Sequence, residues 1–229
     1  TLVLEGDVLA LLGQSDGGKL AARVNAYLEQ LNERAGTLAI YVIDTAGKVV
    51  ASSNWRRADS FIGEDLSFRP YFREAMDSGS GRFFGIGTTR GEPGYYLAST
   101  LTDDSRTLGV AVIKVSLEQL EKSWSTVEAP AMVADENGVV ILGSVADWKF
   151  TTLRPLDEAT RSAFDQTQQY NRRALKPLGM RELAELEHGA RLVNIARDGP
   201  EIASVYPVTG RFLAQSRPLP GTPWTLTVL

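Results

Sequence analysis

The first part of the chain is dominated by a helical pattern of apolar positions, which covers residues 1–35. From residue 20 onward apolar side chains recur at spacings of three and four, at Leu20, Val24, Tyr27, Leu28 and Leu31. Side chains with this spacing share one face of an α-helix. We therefore predict a helical segment whose apolar face packs on its own domain or on a second copy of the chain.

After residue 36 the pattern becomes that of short strands separated by turns. In the first half, strands are predicted at about 37–44, 48–53, 82–89, 94–101 and 108–116, with a short helix carrying SFRPYFREAM. The run SLEQLEKSW leads helically into the second half. There we predict a hairpin near 131–142, a helix around 156–168 and strands near 191–197, 201–207, 211–217 and 223–229.

The two halves contain one repeated unit. TLAIYVIDTAGKVVASSNW in the first half matches AMVADENGVVILGSVADW in the second as strand, Asp, turn with Gly, strand, Ser and Trp. At a constant offset, Asp44 corresponds to Asp135, Gly47 to Gly138 and Ser53 to Ser144. We therefore predict an α+β fold, with a long N-terminal helix (1–36) and two PAS-like modules (37–126 and 127–229). Each module is expected to be a central antiparallel sheet flanked by helices.

Two short motifs suggest a GTPase, and the repeat argues against it. LLGQSDGGKL has the spacing of G-x-x-x-x-G-K, and DTAG at Asp44 fits D-x-x-G. However, Lys19 is followed by Leu20, so no hydroxyl is available for Mg²⁺, and no N-K-x-D motif occurs. DTAG is better explained as a hairpin turn, and GQSDGGK as a break in the helical segment with Ser15 or Asp16 as an N-cap. A nucleotide hydrolase is the least supported alternative.

Composition and charge exclude several kinds of function. The 229 residues carry a net charge of −4, with basic and acidic residues interspersed, so we expect no nucleic-acid partner. No cysteine is present, and the single histidine, His188, is expected at a helix end before a glycine cap, so no metal site and no cofactor are predicted. No apolar run reaches the length of a membrane span. The abrupt ends suggest a fragment of a longer protein.

Two basic residues of the first half lie in unusually apolar surroundings. Arg69 is enclosed by FRPYF, and Lys114 lies in the strand GVAVIKVSL on the same face as Val110 and Val112. One interpretation is that Arg69 pairs with Glu64, Asp65 or Glu74, and that Lys114 extends its ammonium to solvent at a sheet edge. The other is that both cations face one pocket and bind a small anionic ligand.

Hydroxyl groups on the intervening strands fit the second interpretation. They belong to Thr88, Thr89, Tyr95, Tyr96 and Ser99. A mostly apolar pocket with a few convergent polar groups is typical of a small-ligand site. No acidic residue stands out on these strands as an anchor for an ammonium group, which favours a carboxylic acid over an amino acid.

Several motifs taken together resemble a known family. ASSNW, SFIGEDLSFRPYF, GTT, GEPGYYLAS and GVAVIKVSLEQLEKSW are similar to the periplasmic sensor domain of C4-dicarboxylate transport sensor histidine kinases, a double-Cache (tandem PAS-like) module. The resemblance implies a periplasmic domain of a bacterial inner-membrane protein, held between two transmembrane helices that are absent here. It also implies a homodimer formed through the N-terminal helix, a cytoplasmic kinase domain and, as a further partner, the cognate transporter.

The resemblance also implies the ligand and its site. Succinate, fumarate or malate would bind in the membrane-distal module (37–126), and this fragment would be a binding domain without catalytic residues. The matching positions are Arg69 and Lys114 for the carboxylates, then Thr88 and Tyr96, and less closely Ser67 and Tyr71. The membrane-proximal module (127–229) is expected to transmit the signal. A Cache sensor for another carboxylate or an amino acid, and a ligand-free dimerisation module, remain alternatives.

Overall fold

The computed structural model describes residues 2–13, 18–124, 129–196 and 209–229, with side chains from residue 6 onward. It divides into two compact units. The first unit comprises Thr1–Ser116 and Ala163–Arg172, and the second comprises Leu117–Ser162 and Arg173–Leu229. The predicted boundaries differ from this division in three respects. The helical segment belongs to the first unit. The segment 117–124, assigned to the first module, belongs to the second unit, and the segment 163–172, assigned to the second module, belongs to the first unit.

The first unit is a five-stranded antiparallel sheet with helices against it. Its helices are α1 (Leu2–Gly13), α2 (Gly18–Ala35) and α3 (Pro70–Ser78), and its strands are β1 (Ala39–Asp44), β2 (Val49–Ser52), β3 (Ser80–Ile86), β4 (Pro93–Asp103) and β5 (Arg106–Val115). The strand order is β2-β1-β5-β4-β3, which places β5 in the middle. The strand predicted at 82–89 is β3, which ends at Ile86, so Thr88 and Thr89 lie outside it.

The two faces of this sheet bury different sets of side chains. Alternate residues of β1 point to opposite faces. Ile40 and Val42 pack with Val24 and Leu28 of α2, so the apolar stripe predicted for this helix covers its own domain. The other face packs against α3 in a cluster that is largely aromatic, containing Tyr41, Phe61, Tyr71, Phe72, Phe83 and Tyr96.

The second unit contains a six-stranded antiparallel sheet. Its elements are α4 (Glu118–Ser123), β6 (Ala131–Ala134), β7 (Val140–Gly143), β8 (Thr151–Thr152), β9 (Lys176–Pro177), β10 (Met180–Glu185), β11 (Ala190–Ile195), β12 (Gly210–Pro218) and β13 (Thr225–Val228). The order is β10-β11-β12-β13-β6-β7. Helix α5 (Glu158–Thr167) begins in this unit and ends in the first. The predicted α+β fold with a helical start and antiparallel sheets is confirmed.

The repeated hairpins have the same hydrogen bonds. Asp44 Oδ1 accepts from the N–H groups of residues 46 and 48, and Asp135 Oδ1 accepts from those of residues 137 and 139. The turn glycines, Gly47 and Gly138, have φ of 90° and 83°, which favours glycine over other residues. DTAG is therefore a hairpin turn, as the repeat predicted.

One local prediction is wrong. The residues before His188 form strand β10 and a short 3₁₀ turn, not a helix end. His188 itself has φ of 59°, in the left-handed region that suits a tight turn between β10 and β11. Glu, Leu and Ala favour helices, but pairing with β11 outweighs this weak preference. The predicted N-cap at Ser15 or Asp16 and the strand near 201–207 lie outside the described residues.

The described residues contain neither a membrane-spanning helix nor a cluster of metal ligands. No described helix combines the length and the hydropathy needed to cross a bilayer. The part of the chain that the structure describes also contains no cluster of acidic and histidine side chains suited to a metal ion.

Candidate ligand-binding site

Arg69 is buried at the start of helix α3. It is the residue before Pro70, its backbone is extended (φ −74°, ψ 133°), and proline at the first helical position turns the chain into the helix. Its side chain is 1% exposed. Nη1 donates to the carbonyl oxygens of Thr167 (3.2 Å) and Gln168 (3.1 Å), and Nη2 donates to that of Ile86 (3.0 Å). The Nε atom is buried and has no hydrogen-bond partner.

No carboxylate forms an ion pair with Arg69 among the described residues. Asp65 accepts from the N–H of Ser67, and Glu74 accepts from that of Arg82. The interpretation in which Arg69 pairs with Glu64, Asp65 or Glu74 is therefore wrong. The guanidinium instead lies near the rings of Phe68 and Phe83, 5.3 and 5.8 Å from their centroids. Aromatic faces and carbonyl dipoles compensate part of the cost of burying a charge, but supply no counter-ion.

Lys114 is buried in the central strand β5. It lies between Ala39 of β1 and Tyr96 of β4 and is 2% exposed, so it does not extend to solvent at a sheet edge. Nζ donates to the carbonyl oxygen of Glu92 at 2.9 Å. Burial lowers the pKa of Lys114 to about 8, and the negative charge of Glu92 opposes part of this effect.

Two glycines make room for the lysine side chain. A Cβ on Gly94 would lie 2.5 Å from Cε of Lys114, a distance that carbon atoms do not tolerate. A Cβ on Gly87 would lie 3.2 Å from Nζ and 3.3 Å from the hydroxyl oxygen of Tyr96. Gly87 therefore separates the ammonium from a cavity, described in the next paragraph, and its lack of a side chain keeps the two close together.

A small cavity opens beside these groups in the first unit. Its volume is about 20 Å³, and it is lined by Tyr41, Phe61, Glu64, Leu66, Arg69, Tyr71, Gly87, Thr88, Thr89 and Tyr96. The rings of Tyr71 and Tyr96 are stacked, with centroids 4.9 Å apart. The hydroxyls of Tyr41 and Tyr71 are 2.8 Å apart. Burial raises the pKa of Tyr71 to about 12, so its hydroxyl stays neutral at physiological pH and can donate a hydrogen bond.

Comparison with protein families identifies the fold. The model of the Cache domain matches residues 3–229. The chain belongs to the Cache domain family. It is 36% identical over 216 residues to the C4-dicarboxylate transport sensor protein DctB of Pseudomonas aeruginosa and 32% identical over 207 residues to DctB of Rhizobium meliloti. These matches cover 94% and 90% of this chain, but only 31% and 32% of the relatives.

A solved structure shows the same architecture. The sensor domain of the Vibrio cholerae histidine kinase DctB superposes with a TM-score of 0.85 at 29% identity. The match covers 100% of this chain and 85% of that one. This chain therefore has the fold of the DctB sensor domain, and it spans about a third of the length of the curated relatives.

The Cache domain brings most of the predicted site residues together. Arg69, Tyr71, Thr88 and Tyr96 line the cavity, and Lys114 lies behind Gly87. Ser67 is not among the lining residues; its Cβ lies against the hairpin turn, 2.4 Å from the position that a Cβ on Gly47 would take. Tyr95 and Ser99 occupy the other face of β4, as the alternation with buried residues 94, 96 and 98 requires.

Five of the residues that line the cavity, one of them acidic, were not predicted from the sequence. Tyr41, Phe61, Leu66 and Gly87 were not predicted, although Tyr41 pairs directly with Val112 on the face of Lys114. Glu64 also lines the cavity. The sequence prediction concerned only the strands, on which no acidic residue stands out, whereas Glu64 belongs to the loop before α3, and only long-range contacts bring this loop to the sheet.

Proposed function

We propose that this chain is the extracytoplasmic sensor domain of a two-component histidine kinase, and that the cavity of its first unit binds a C4-dicarboxylate such as succinate, fumarate or malate. The observation that carries the proposal is a pair of buried cations without acidic partners. Within the described residues, neither Arg69 nor Lys114 has a carboxylate within 4 Å. Arg69 lines one cavity, and Lys114 lies behind Gly87 in the wall of the same cavity.

The energetics of these cations favour an anionic ligand. A buried charge is unfavourable unless an opposite charge or several hydrogen bonds compensate it. The same cost of burial lowers the pKa of Lys114. A dianion would compensate both cations, and Arg69 still has a buried N–H, at Nε, to donate. The guanidinium suits two-point binding of one carboxylate, and the ammonium acts as a point charge for the other.

The size of the cavity implies that binding moves its wall. A volume of about 20 Å³ accommodates little more than one water molecule. A four-carbon diacid therefore requires the lining side chains to separate. We propose that the ligand carboxylate takes over Arg69 N–H groups that now bond to the carbonyls of Thr167 and Gln168, which would shift the end of α5. A ligand can shift a conformational equilibrium only through such differences in contacts.

The wider context of the domain is also a proposal. The relatives are named as C4-dicarboxylate transport sensors, which supports a parent protein with a cytoplasmic kinase domain and a periplasmic location for this part. Homodimerisation through the helices of residues 1–36, and signalling linked to the cognate transporter, complete the proposal. The second unit would transmit the signal.

Isothermal titration calorimetry with succinate, fumarate, L-malate and acetate tests the function. The diacids should bind and acetate should not. Lys114→Met should weaken diacid binding at least about 100-fold, since it removes a buried ionic contact. Lys122→Met, on the exposed face of α4, is the matched control and should bind as the wild type does. Equal affinity of both variants would contradict the assigned pocket.

Glu64 favours one second candidate, a Cache sensor for an amino acid. Glu64 lines the cavity, and its carboxylate is able to accept hydrogen bonds from an ammonium group. L-aspartate, L-alanine and L-serine in the same titrations distinguish the candidates. Binding of neutral amino acids but not of succinate would favour the amino-acid sensor. No binding of any acid would favour a structural dimerisation module.

A further inference from the structure

We propose that Glu64 determines specificity within this pocket, by selecting diacids that carry a hydrogen-bond donor, a hydroxyl or an ammonium, on the carbon next to a carboxylate. This inference rests on the proposed function and adds to it a discrimination among four-carbon diacids. The observation behind it is a carboxylate in the wall of a cavity that otherwise suits anions.

The backbone of Glu64 is held at two points. Its N–H donates to the carbonyl of Phe61 at 3.0 Å, and its carbonyl accepts from the N–H of Val49 at 2.9 Å. Val49 begins strand β2, so the loop is fixed to the sheet. Glu64 therefore lines the cavity from an anchored position, and it shares the wall with Arg69 and Tyr71.

One carboxylate oxygen of Glu64 has a partner within the cavity wall. The hydroxyl of Thr89 donates to Oε1. No ion pair to Glu64 occurs among the described residues. An ionised carboxylate accepts hydrogen bonds and donates none, and it has capacity for more than one donor. Burial raises the pKa values of Tyr71 and Tyr96, and the negative charge of Glu64 adds a smaller contribution in the same direction.

The charges of the pocket explain how such a group discriminates. Arg69 and Lys114 together match the two charges of a diacid, which leaves Glu64 as an uncompensated negative charge beside the ligand. A ligand that presents only carboxylates and methylenes is repelled by it. A ligand with a hydroxyl or ammonium next to one carboxylate can donate to Glu64 instead, and a hydrogen bond to a charged acceptor is among the stronger ones in proteins.

The test compares three diacids in wild type and Glu64→Gln by isothermal titration calorimetry. Succinate has no donor, L-malate has a hydroxyl and L-aspartate has an ammonium. The wild type should bind L-malate, L-aspartate or both about tenfold more tightly than succinate. In Glu64→Gln the preference should fall to about twofold or less, chiefly because succinate binds more tightly once the negative charge is removed. Gln keeps the shape and an oxygen that accepts from Thr89.

A second variant, at Thr89, tests the hydrogen bond between this residue and Glu64. Thr89→Val removes the hydroxyl that orients the carboxylate of Glu64, and should reduce the preference for L-malate and L-aspartate over succinate. The circular dichroism spectrum should stay the same, and the melting temperature should change by no more than a few degrees. An unchanged preference in Glu64→Gln, or a wild type that binds succinate best, would overturn this inference and leave the proposed function intact. A wild type that binds none of the three acids would overturn the proposed function, and this inference with it.

Discussion

The two units share a scaffold but differ in where they place arginine. In the first unit, Arg69 enters the core at the start of α3 and is 1% exposed. In the second unit the nearest counterpart in sequence, Arg154 in LRPL, is exposed and donates to the carbonyls of residues 136 and 137 in the hairpin turn. The first unit thus contains buried cations beside a cavity, whereas the second uses its arginine to hold a turn.

This difference separates the features of the repeat that serve folding from those that we propose for binding. The hairpin hydrogen bonds of Asp44 and Asp135, and those of Ser53 and Ser144 to the opposing strand, are the same in both units. They stabilise the scaffold, because they satisfy backbone N–H groups of the turns and strands that would otherwise be unpaired. Cations buried without a counter-ion carry a desolvation cost, and the first unit retains two of them, a pattern that fits the proposed ligand site.

The largest expected difference between the units comes from arginine truncation. Arg69→Ala leaves three carbonyl acceptors without their donor and opens a void in the core, so it should lower the free energy of unfolding by about 3–5 kcal/mol. Arg154→Ala should cost no more than about 1 kcal/mol, because water replaces the donor at its exposed turn. Urea denaturation followed by circular dichroism measures both. Equal losses would mean that Arg69 contributes no more to its unit than Arg154 does.

Removal of the second cation should have opposite effects on stability and binding. The pKa of Lys114 is lower in the folded protein than in the unfolded chain, so at pH 7 its burial as a cation reduces the free energy of unfolding. Lys114→Met is therefore expected to raise this free energy by about 2 kcal/mol, and to weaken diacid binding at least about 100-fold. Thermal unfolding with and without 10 mM succinate tests both. A variant less stable than the wild type would show that Lys114 is a structural residue.

Truncation of the two hairpin aspartates should produce a smaller difference in the free energy of unfolding. Asp135 is buried and accepts from Val139 N–H at 2.7 Å, whereas the bonds of Asp44 are exposed to water. We expect Asp135→Ala to cost about 2–3 kcal/mol and Asp44→Ala about 1 kcal/mol, since only a buried unpaired N–H pays the full desolvation penalty. Urea denaturation of the two variants, with the Asn variants as controls, checks the order. A reversed order would contradict this explanation.

The smallest expected effect is a pH dependence of ligand affinity, which arises from Lys114 in the first unit. With a pKa of about 8, Lys114 is mostly protonated at pH 7 and mostly neutral at pH 9. A bound carboxylate raises this pKa, so binding above pH 8 must include proton uptake and should weaken about tenfold between pH 7 and pH 9. The other charged groups that act on Lys114 are Glu92, Arg90 and Arg69.

Calorimetric titration of succinate at pH 7, 8 and 9 measures this dependence. In buffers of different ionisation enthalpy, the same titrations give the number of protons taken up. Lys114→Met cannot show the effect, and any residual binding by that variant should be independent of pH in this range. A wild-type affinity that is constant from pH 7 to pH 9 would mean that Lys114 does not contact the ligand.

The sequence predicted the elements of the first unit to within a few residues, because each is marked by local chemistry. Pro70 begins α3, Gly79 ends it with φ of 87°, and glycine turns bound the hairpins. The sequence was less informative about the second unit. Strand β10 consists almost wholly of exposed residues with helical preference, and only its pairing with β11 makes it a strand.

The sequence by itself determined the repeat, the helical start and the two cations, since hairpin turns, apolar stripes and charges in apolar strands are all local signals. Tertiary structure alone decided what those cations contact. The carbonyls of Thr167 and Gln168 reach Arg69 across some hundred residues, and Glu64 and Gly87 join the wall of the cavity only when their loops pack on the sheet. Such contacts depend on the balance of packing over the whole unit, which no short segment of sequence encodes.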